Sequence, residues 1–279
     1  MAETLTDCHW PHLSVFMKLG DVYKTTHPLP VDADVLFERY RVEPRGNDPH
    51  QHLASALRER GLATFGEIHD RPAFARMARA LAALYTHPDS EPDGLTLLHA
   101  RDGSPGSGQR GFTDSELFPH TERSCLPKPP QLLMLMYLTP ANHGGESVLI
   151  DGRAVAKELS LTTPETWSAL STPRSAYFGG SSGYVGAVFE PAAPERWSIR
   201  LRLDQLIRFA HRSAHHVEVF REVMDRHTMV LRLGQGQGFI LDNTRWLHGR
   251  HAFTGPRVML RALGEPHTHI PLERGFRLP

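Results

Sequence analysis

A continuous apolar run between prolines, from Leu132 to Leu138, constrains the fold of this chain most strongly. Pro129 and Pro130 precede the run and Pro140 follows it. Proline breaks helical hydrogen bonding and restricts the residue before it, so a helix across this stretch is disfavoured. A short apolar run with such boundaries is typical of a buried strand. The sequence therefore predicts a sheet with this strand inside it.

Further elements are predicted on both sides of this strand. The strands fall at 62–65, 95–98, 146–150, 185–189, 197–203, 229–233, 238–241, 246–248 and 256–263, and the helices at 52–60, 71–85, 153–161, 164–170 and 214–227. Gly61 is expected to end the first helix, and Thr163 to cap the helix that begins at Pro164. Residues 1–48, with the strand-like Leu13–Met17, are expected to form an N-terminal wrap. Without repeats or a linker, residues 1–279 are predicted to form one domain, mainly β with flanking α helices.

The composition disfavours several classes of partner. Lys plus Arg and Asp plus Glu are equal at 31 each, so no global field favours nucleic acid or an anionic membrane. No apolar run approaches the ~18 residues of a membrane span. Cys8 and Cys125 lack metal-type spacing, and the first residues lack the features of a signal peptide. We therefore expect a soluble cytoplasmic protein with no nucleic-acid or membrane partner, and no particular oligomeric state is indicated.

The triplet His120-Thr121-Glu122 suits metal binding, because side chains two apart in an extended segment point the same way. By itself the triplet is also typical of a solvated surface pair, so a third ligand must come from elsewhere. His248 is preferred because it lies in the restrictive pattern Asp-Asn-x-x-x-Leu-His-Gly-Arg at 242–250; His251 is a competing candidate, and a hydrogen-bonded core histidine is the alternative interpretation. Two imidazoles and one carboxylate suit a three-point site for a ferrous ion.

Arg257 and Arg261 lie four apart in a strand-like run, so both are expected to face the same side, roughly 13 Å apart along the strand. A guanidinium presents paired donors to a carboxylate. We expect one arginine to anchor a dicarboxylate cosubstrate and the other to contact the substrate. Ser147, after a Gly-Gly-Glu turn, would add a hydroxyl donor. Taken alone, these residues also fit surface arginines on an edge strand and an ordinary turn serine.

These motifs together resemble those of a known family. The matching stretches are 119–122, 129–130, 144–152, 242–250, Phe253 and the pair Arg257 and Arg261. Over residues 61–263 the chain resembles the taurine dioxygenase-related (TauD/TfdA) family of iron(II)- and 2-oxoglutarate-dependent oxygenases. The resemblance implies a distorted double-stranded β-helix, a cupin-like jelly roll.

The resemblance also implies a role for each candidate residue: iron ligands at His120, Glu122 and His248, 2-oxoglutarate contacts at Ser147 and Arg257, and a substrate contact at Arg261. The implied reaction uses Fe(II), 2-oxoglutarate and O2 to hydroxylate an unactivated C–H bond of a small molecule. Desaturation, epoxidation and oxidative cyclisation are variants with the same cofactors. The His-to-Arg spacing between 248 and 257 is short for the family, which leaves both arginines as candidates for the 2-oxoglutarate clamp.

Glu122 stands where most members of the family have Asp, as in the clavaminate synthase-like branch. A retained carboxylate favours hydroxylation over halogenation, and this branch implies an amino acid or amino-acid derivative of specialised metabolism, such as antibiotic biosynthesis. The substrate, either free or carrier-linked, would place a carboxylate at Arg261. The pocket is expected to include 95–98, 109–118 and 179–188, with lids at 103–108 and 179–188. The glycine run in the second of these segments fits simple surface turns at least as well.

Two alternatives belong to other classes of protein. One is a non-catalytic metal-binding jelly-roll protein, which would keep the fold but not the arginine clamp. The other is a zinc hydrolase, which is disfavoured because the chain has no His-Glu-x-x-His signature.

Overall fold

The computed structural model describes residues 33–43, 49–101 and 109–278. The described helices are α1 (Ala33–Tyr40), α2 (Pro49–Arg60), α3 (Arg71–Leu81), α4 (Gly152–Thr162), α5 (Pro164–Ser171), α6 (His211–Ala214) and α7 (Val217–Arg226). The first strands are β1 (Leu62–Phe65), β2 (Ala82–Leu84), β3 (Thr96–Leu98), β4 (Leu117–His120), β5 (Leu132–Thr139), β6 (His143–Gly144), β7 (Ser147–Asp151), β8 (Ala176–Phe178) and β9 (Tyr184–Gly186). The remaining strands are β10 (Phe189–Ala193), β11 (Arg196–Ile199), β12 (Ile207–Phe209), β13 (Thr228–Leu231), β14 (Gly238–Asp242), β15 (Trp246–Arg250), β16 (Phe253–Thr254) and β17 (Val258–Pro266). The strand-like Leu13–Met17 and the glycine run 103–108 lie outside the described residues.

Two antiparallel sheets form the centre of the molecule. The larger has the order β1-β14-β5-β17-β2, with β3 also paired to β17, and the smaller has the order β13-β7-β15-β4. Leu133 and Phe239 of the larger sheet share one buried cluster with Leu149 and Trp246 of the smaller sheet. The inner faces of the two sheets therefore pack against each other, and the predicted mainly β core with flanking helices is confirmed.

Strand β5 shows why its sequence is apolar throughout. Leu133 and Leu135 belong to the cluster between the sheets. Leu132, Met134 and Met136 point the other way, into a second cluster that helices α2 and α3 cover. A strand buried on both faces has no solvent side, so it needs no polar alternation.

The outer face of the smaller sheet is covered in the same manner. Ile150 and Leu247 pack outward against Leu159 of α4, Leu170 of α5 and Phe220 of α7 in a third buried cluster. The order of layers is thus helices, larger sheet, smaller sheet, helices. This arrangement makes the space between the two sheets the interior of the fold.

The second predicted helix is shorter than expected. Helix α3 begins where Asp70 accepts a hydrogen bond from the Ala73 N–H at 2.7 Å, and it ends at Leu81 instead of residue 85. The next three residues form β2, in which Ala82 pairs with Pro266 of β17. Pairing with β17 is a tertiary interaction, and it outweighs the helical periodicity of the local sequence.

Three smaller expectations also change. The strand predicted at 185–189 is divided between β9 and β10, and the helix predicted to begin at residue 214 begins at Val217, after the separate α6. Thr163 precedes α5 as predicted, but its buried hydroxyl makes no hydrogen bond to the helix.

In the predicted wrap, the described residues include helix α1, and the Phe37 carbonyl there accepts a hydrogen bond from the Thr64 hydroxyl at 2.6 Å. Among the described residues, none of the helices has the length and apolar character of a membrane span.

Candidate active site

Strand alternation directs the predicted site residues into the space between the sheets. On β15, Trp246 points inward and Leu247 outward, so His248 points inward. On β7, Leu149 points inward, and Ser147 two residues earlier shares its face. The two strands are paired, and Ser147 lies opposite Arg250 in their register.

The predicted metal ligands meet where β4 pairs with β15. His120 lies opposite His248 in this pair, and the centres of their rings are 4.3 Å apart. Glu122 follows β4, and its carboxylate is 3.8 Å from His248 Nε2. One ligand atom from each of the three residues lies within 4.8 Å of the others. Within the described ranges, no other group of three or more His, Cys, Asp or Glu side chains has this geometry.

The hydrogen bonding of the histidines distinguishes ligand from non-ligand. His120 Nδ1 is 2.9 Å from the Phe118 carbonyl, to which it donates, so the lone pair of Nε2 is left for a metal. The competing candidate His251 is instead directed at Glu146, with Nδ1 3.4 Å from the carboxylate. The geometry thus favours His248 over His251 as the third ligand.

The electrostatics of the three residues suit a cation. Burial by itself would raise the pKa of Glu122, but Arg261 and the two imidazoles outweigh it and lower this pKa to about 2. Arg261 Nη1 donates to the Glu122 carboxylate at 3.2 Å. Burial lowers the pKa of His120, and burial together with the neighbouring His120 lowers the pKa of His248 well below its ordinary value. An ionised carboxylate and neutral imidazoles are the forms that bind a metal.

Backbone contacts hold the ligand segment in place. Thr121, between the two ligands, pairs with Leu201: its N–H donates to the Leu201 carbonyl at 2.8 Å, and its hydroxyl accepts from the Leu201 N–H at 3.1 Å. The buried Asn243 accepts from the Glu122 N–H at 2.7 Å and donates to the carbonyls of Glu122 at 3.0 Å and Pro130 at 2.8 Å. Sequence reasoning gave Asn243 no role, although its place in the Asp-Asn pattern was a signal.

The glycine of the His-Gly-Arg sequence is required by close packing. A Cβ at Gly249 would lie 2.6 Å from the Leu117 carbonyl oxygen and 2.9 Å from Pro119 N, because the pairing of β15 with β4 shifts its register at this position. The next residue, Arg250, is buried and donates to the Thr113 carbonyl at 2.8 Å. This arginine therefore holds the segment that leads into β4.

Arg257 has a rigid setting at the start of β17. Its Nη2 donates to the Tyr137 hydroxyl at 2.9 Å, and that hydroxyl donates to the Gly145 carbonyl at 2.7 Å. The guanidinium lies 4.9 Å from the Tyr137 ring centre and 5.4 Å from that of Phe253. Sequence reasoning missed Tyr137, although its hydroxyl, a polar group within an apolar run, was a signal of a specific role. A register shift between 258 and 259 separates Arg257 from Arg261.

One cavity of about 370 Å³ joins these groups, and we call it the central cavity. Its lining includes all six predicted residues: His120, Glu122, Ser147, His248, Arg257 and Arg261. The segments predicted to form its walls contribute Leu98, Phe112 and Ser181, among others. Arg257 Nε and Arg261 Nε and Nη2 are buried without a partner. Buried donors normally have partners, so both guanidinium groups keep hydrogen-bonding capacity that no described residue uses.

A protein-family model matches residues 41–263 of the chain and is described as "Taurine catabolism dioxygenase TauD, TfdA family". The chain belongs to the TauD/TfdA dioxygenase family. The predicted family and the predicted dioxygenase activity are confirmed by this match, and the family's cofactors, iron(II) and 2-oxoglutarate, are the predicted ones. The group of His120, Glu122 and His248 agrees with a metal-dependent member.

The structure is also similar to solved oxygenases. Asparagine oxygenase in complex with Fe(II), 3-hydroxyasparagine and succinate has a TM-score of 0.58 at 16% identity, covering 77% of this chain and 78% of that one. The non-heme iron oxygenase OrfP with Fe and alpha-ketoglutaric acid has a TM-score of 0.61 at 15% identity, covering 87% and 90%. PvcB from Pseudomonas aeruginosa has a TM-score of 0.61 at 17% identity, covering 81% and 82%. At these identities the likeness shows the fold, and it confirms the predicted jelly-roll class.

Proposed function

We propose that this protein uses iron(II), 2-oxoglutarate and O2 to hydroxylate an unactivated C–H bond of an amino acid or amino-acid derivative. The observation that carries the proposal is the buried group of His120, Glu122 and His248 in a cavity that also contains Arg257 and unpaired donors of Arg261. A surface cluster or a core histidine would not need these groups to converge on one cavity.

The three ligand side chains fit ferrous iron. Two neutral imidazoles and one carboxylate form the set used by non-heme iron oxygenases, and this set leaves coordination positions open. When bound, iron and 2-oxoglutarate supply the activation of O2, with loss of CO2 from 2-oxoglutarate to give succinate. His120 and His248 would hold the metal from the paired strands β4 and β15. Asn243 would keep the Glu122 carboxylate in position through its bond to the Glu122 backbone.

Arg257 rather than Arg261 fits the 2-oxoglutarate clamp. Arg261 is already paired with Glu122, whereas the described residues give Arg257 no carboxylate partner. Arg257 also shares the central cavity with Ser147, whose hydroxyl would bind the same carboxylate of 2-oxoglutarate that Arg257 holds. Tyr137 holds the Arg257 guanidinium before any ligand arrives, which lowers the cost of ordering it.

The free donors of Arg261 would bind a carboxylate of the substrate and so set its position beside the metal. Support for an amino-acid substrate comes from the relatives: asparagine oxygenase was solved with 3-hydroxyasparagine, and OrfP with (3S)-hydroxy-L-Arg. PvcB is described as an oxygenase from an isonitrile synthetic pathway, which supports specialised metabolism. We also propose that the protein is cytoplasmic and that its substrate is a free or carrier-linked amino acid or derivative.

Anaerobic addition of iron(II) and 2-oxoglutarate tests the proposal. We expect a weak visible charge-transfer band that is lost in His248→Ala and weakened in Arg257→Ala. His251→Ala is the matched control and should keep the band, because His251 faces Glu146. A wild-type protein that binds the metal but gives no band would refute the assignment.

Turnover distinguishes an oxygenase from a non-catalytic metal-binding protein. Oxygen-dependent formation of succinate, measured across a panel of amino acids and their derivatives, is expected to rise with the correct substrate. The mass of the product then separates oxygen insertion, by hydroxylation or epoxidation, from the loss of two hydrogens, by desaturation or cyclisation, and NMR of the product distinguishes the members of each pair. Metal binding without succinate formation from any member of the panel would favour the non-catalytic alternative.

A further inference from the structure

The central cavity contains polar side chains that the proposed function leaves without a role: His87, Arg123 and Ser181. They come from three different connections, after β2, after β4 and after β8. Arg123 directly follows the ligand Glu122 and has a φ of 56°, in the left-handed region that non-glycine residues seldom adopt. Such local strain is often found at functional sites, where the surrounding structure fixes a side chain in a required place.

The guanidinium of Arg123 is poorly satisfied. Its Nη2 lies 3.4 Å from both the Tyr85 hydroxyl and Ser181 Oγ, and its Nε is buried without a partner. In the described ranges of the chain, no carboxylate lies within ion-pair distance of Arg123, whereas Arg202 and Arg261 of the same cavity each pair with one. Arg123 therefore brings a positive charge into the cavity that no described acidic side chain neutralises.

His87 adds a neutral donor beside this charge. The Asp89 N–H donates to His87 Nδ1 at 3.1 Å and is closer than the Asp89 carboxylate, at 3.4 Å. Because Nδ1 accepts this bond, the ring proton belongs on Nε2. Burial and the positive charge of Arg261 lower the pKa of His87 to about 4, with a smaller contribution from Arg123, so the ring is neutral near pH 7.

We propose that Arg123, His87 and Ser181 form a subsite for an acidic group at the far end of the substrate, whose first carboxylate meets Arg261. The subsite offers one full positive charge and two neutral donors, His87 Nε2–H and the Ser181 hydroxyl. This set matches the single negative charge of a carboxylate better than the higher charge of a phosphate monoester. The substrate class is therefore an amino acid with an acidic side chain, or a derivative with a terminal carboxylate. This inference rests on the proposed function, because it takes the cavity as the substrate site.

Calorimetric titration of the anaerobic protein, loaded with iron(II) and 2-oxoglutarate, tests the subsite. The probes are acid and amide pairs of equal length, L-glutamate with L-glutamine and L-aspartate with L-asparagine, together with L-2-aminoadipate. Loss of a charge-assisted hydrogen bond typically weakens binding about 10-fold or more. We expect at least one acid to bind more tightly than its neutral counterpart by at least about this factor.

The variants assign this preference to Arg123. Arg123→Gln should remove the preference for the acid while leaving the affinity for the amide nearly unchanged, and Arg123→Lys should retain part of it through its charge. Arg76→Gln removes the same charge from the exposed face of α3, outside the cavity lining, and should keep the full preference.

Three results would overturn the subsite: equal affinity of the wild type for acids and amides, no measurable binding of any acid, or a preference that survives in Arg123→Gln. O-phospho-L-serine and L-cysteate distinguish the kinds of anion, because tighter binding of either one than of every carboxylate would overturn the carboxylate assignment. The visible band of the same sample separates the two hypotheses. Absence of the band refutes the proposed function, whereas a band without charge preference refutes only the subsite.

Discussion

Replacing Asn243 by Leu should weaken metal binding through the backbone of Glu122. The buried amide makes three hydrogen bonds, two of them to the main chain of Glu122, which is 121 residues away in sequence. At about 1 kcal/mol for each bond, the loss lowers the free energy of unfolding by about 3 kcal/mol. A partner that orients a metal ligand typically contributes about 10- to 100-fold to metal affinity, so the dissociation constant for iron(II) should rise by this factor.

Thr244→Val is the matched control for this substitution. The buried Thr244 hydroxyl donates to Asp242 at 2.5 Å and accepts from the Gly275 N–H at 2.8 Å, but it does not contact Glu122. Its removal should cost about 2 kcal/mol of unfolding free energy and leave the metal affinity unchanged. Urea unfolding measures the first quantity, and anaerobic titration of the folded protein with iron(II) measures the second. Equal iron(II) affinities for the wild type and Asn243→Leu would show that Asn243 does not support the metal ligand Glu122.

Three further changes have defined outcomes. Tyr137→Phe removes the hydroxyl that holds Arg257, and titration of the visible band should show about 10-fold weaker binding of 2-oxoglutarate, with iron affinity unchanged. Burial, partly opposed by hydrogen bonds, raises the pKa of Asp242 from 3.8 to about 6, so its contribution to stability is full below about pH 4 and is lost as the pH rises through 6. Urea unfolding across this range should show that the free energy of unfolding of the wild type falls by up to about 3 kcal/mol relative to Asp242→Asn. Parallel pH curves for the two proteins would contradict this. Leu159→Ala in the core should cost about 2–5 kcal/mol, whereas Leu161→Ala, 72% exposed on the same helix, should cost almost nothing by the same assay.

Local sequence was sufficient for many of the elements. The proline-bounded run at 132–138 forms β5, and Gly61, with a φ of 68°, ends α2 as expected. Both depend on backbone chemistry within a few residues, which a sequence displays directly. Helix α3 shows the limit of this reasoning, because its last predicted turn pairs with β17, a strand far along the chain.

The candidate site divides in a similar way. The residue types and spacing of His120, Glu122 and His248 were sufficient to nominate a metal site, since ligand chemistry restricts the choice. The spacing of Arg257 and Arg261 left their roles open. The structure separates them, because one is held by Tyr137 and the other is paired with Glu122.

Local sequence patterns were enough to predict the family, the proposed ligand set and most of the strands, because motif chemistry and side-chain alternation are local properties. Which buried groups support them depended on the tertiary fold. Contacts between distant segments produce the bond from Asn243 to Glu122, the bond from Arg257 to Tyr137 and the unpaired charge of Arg123. Antiparallel register and sheet packing set these contacts, and no local pattern encodes which distant residue will lie opposite.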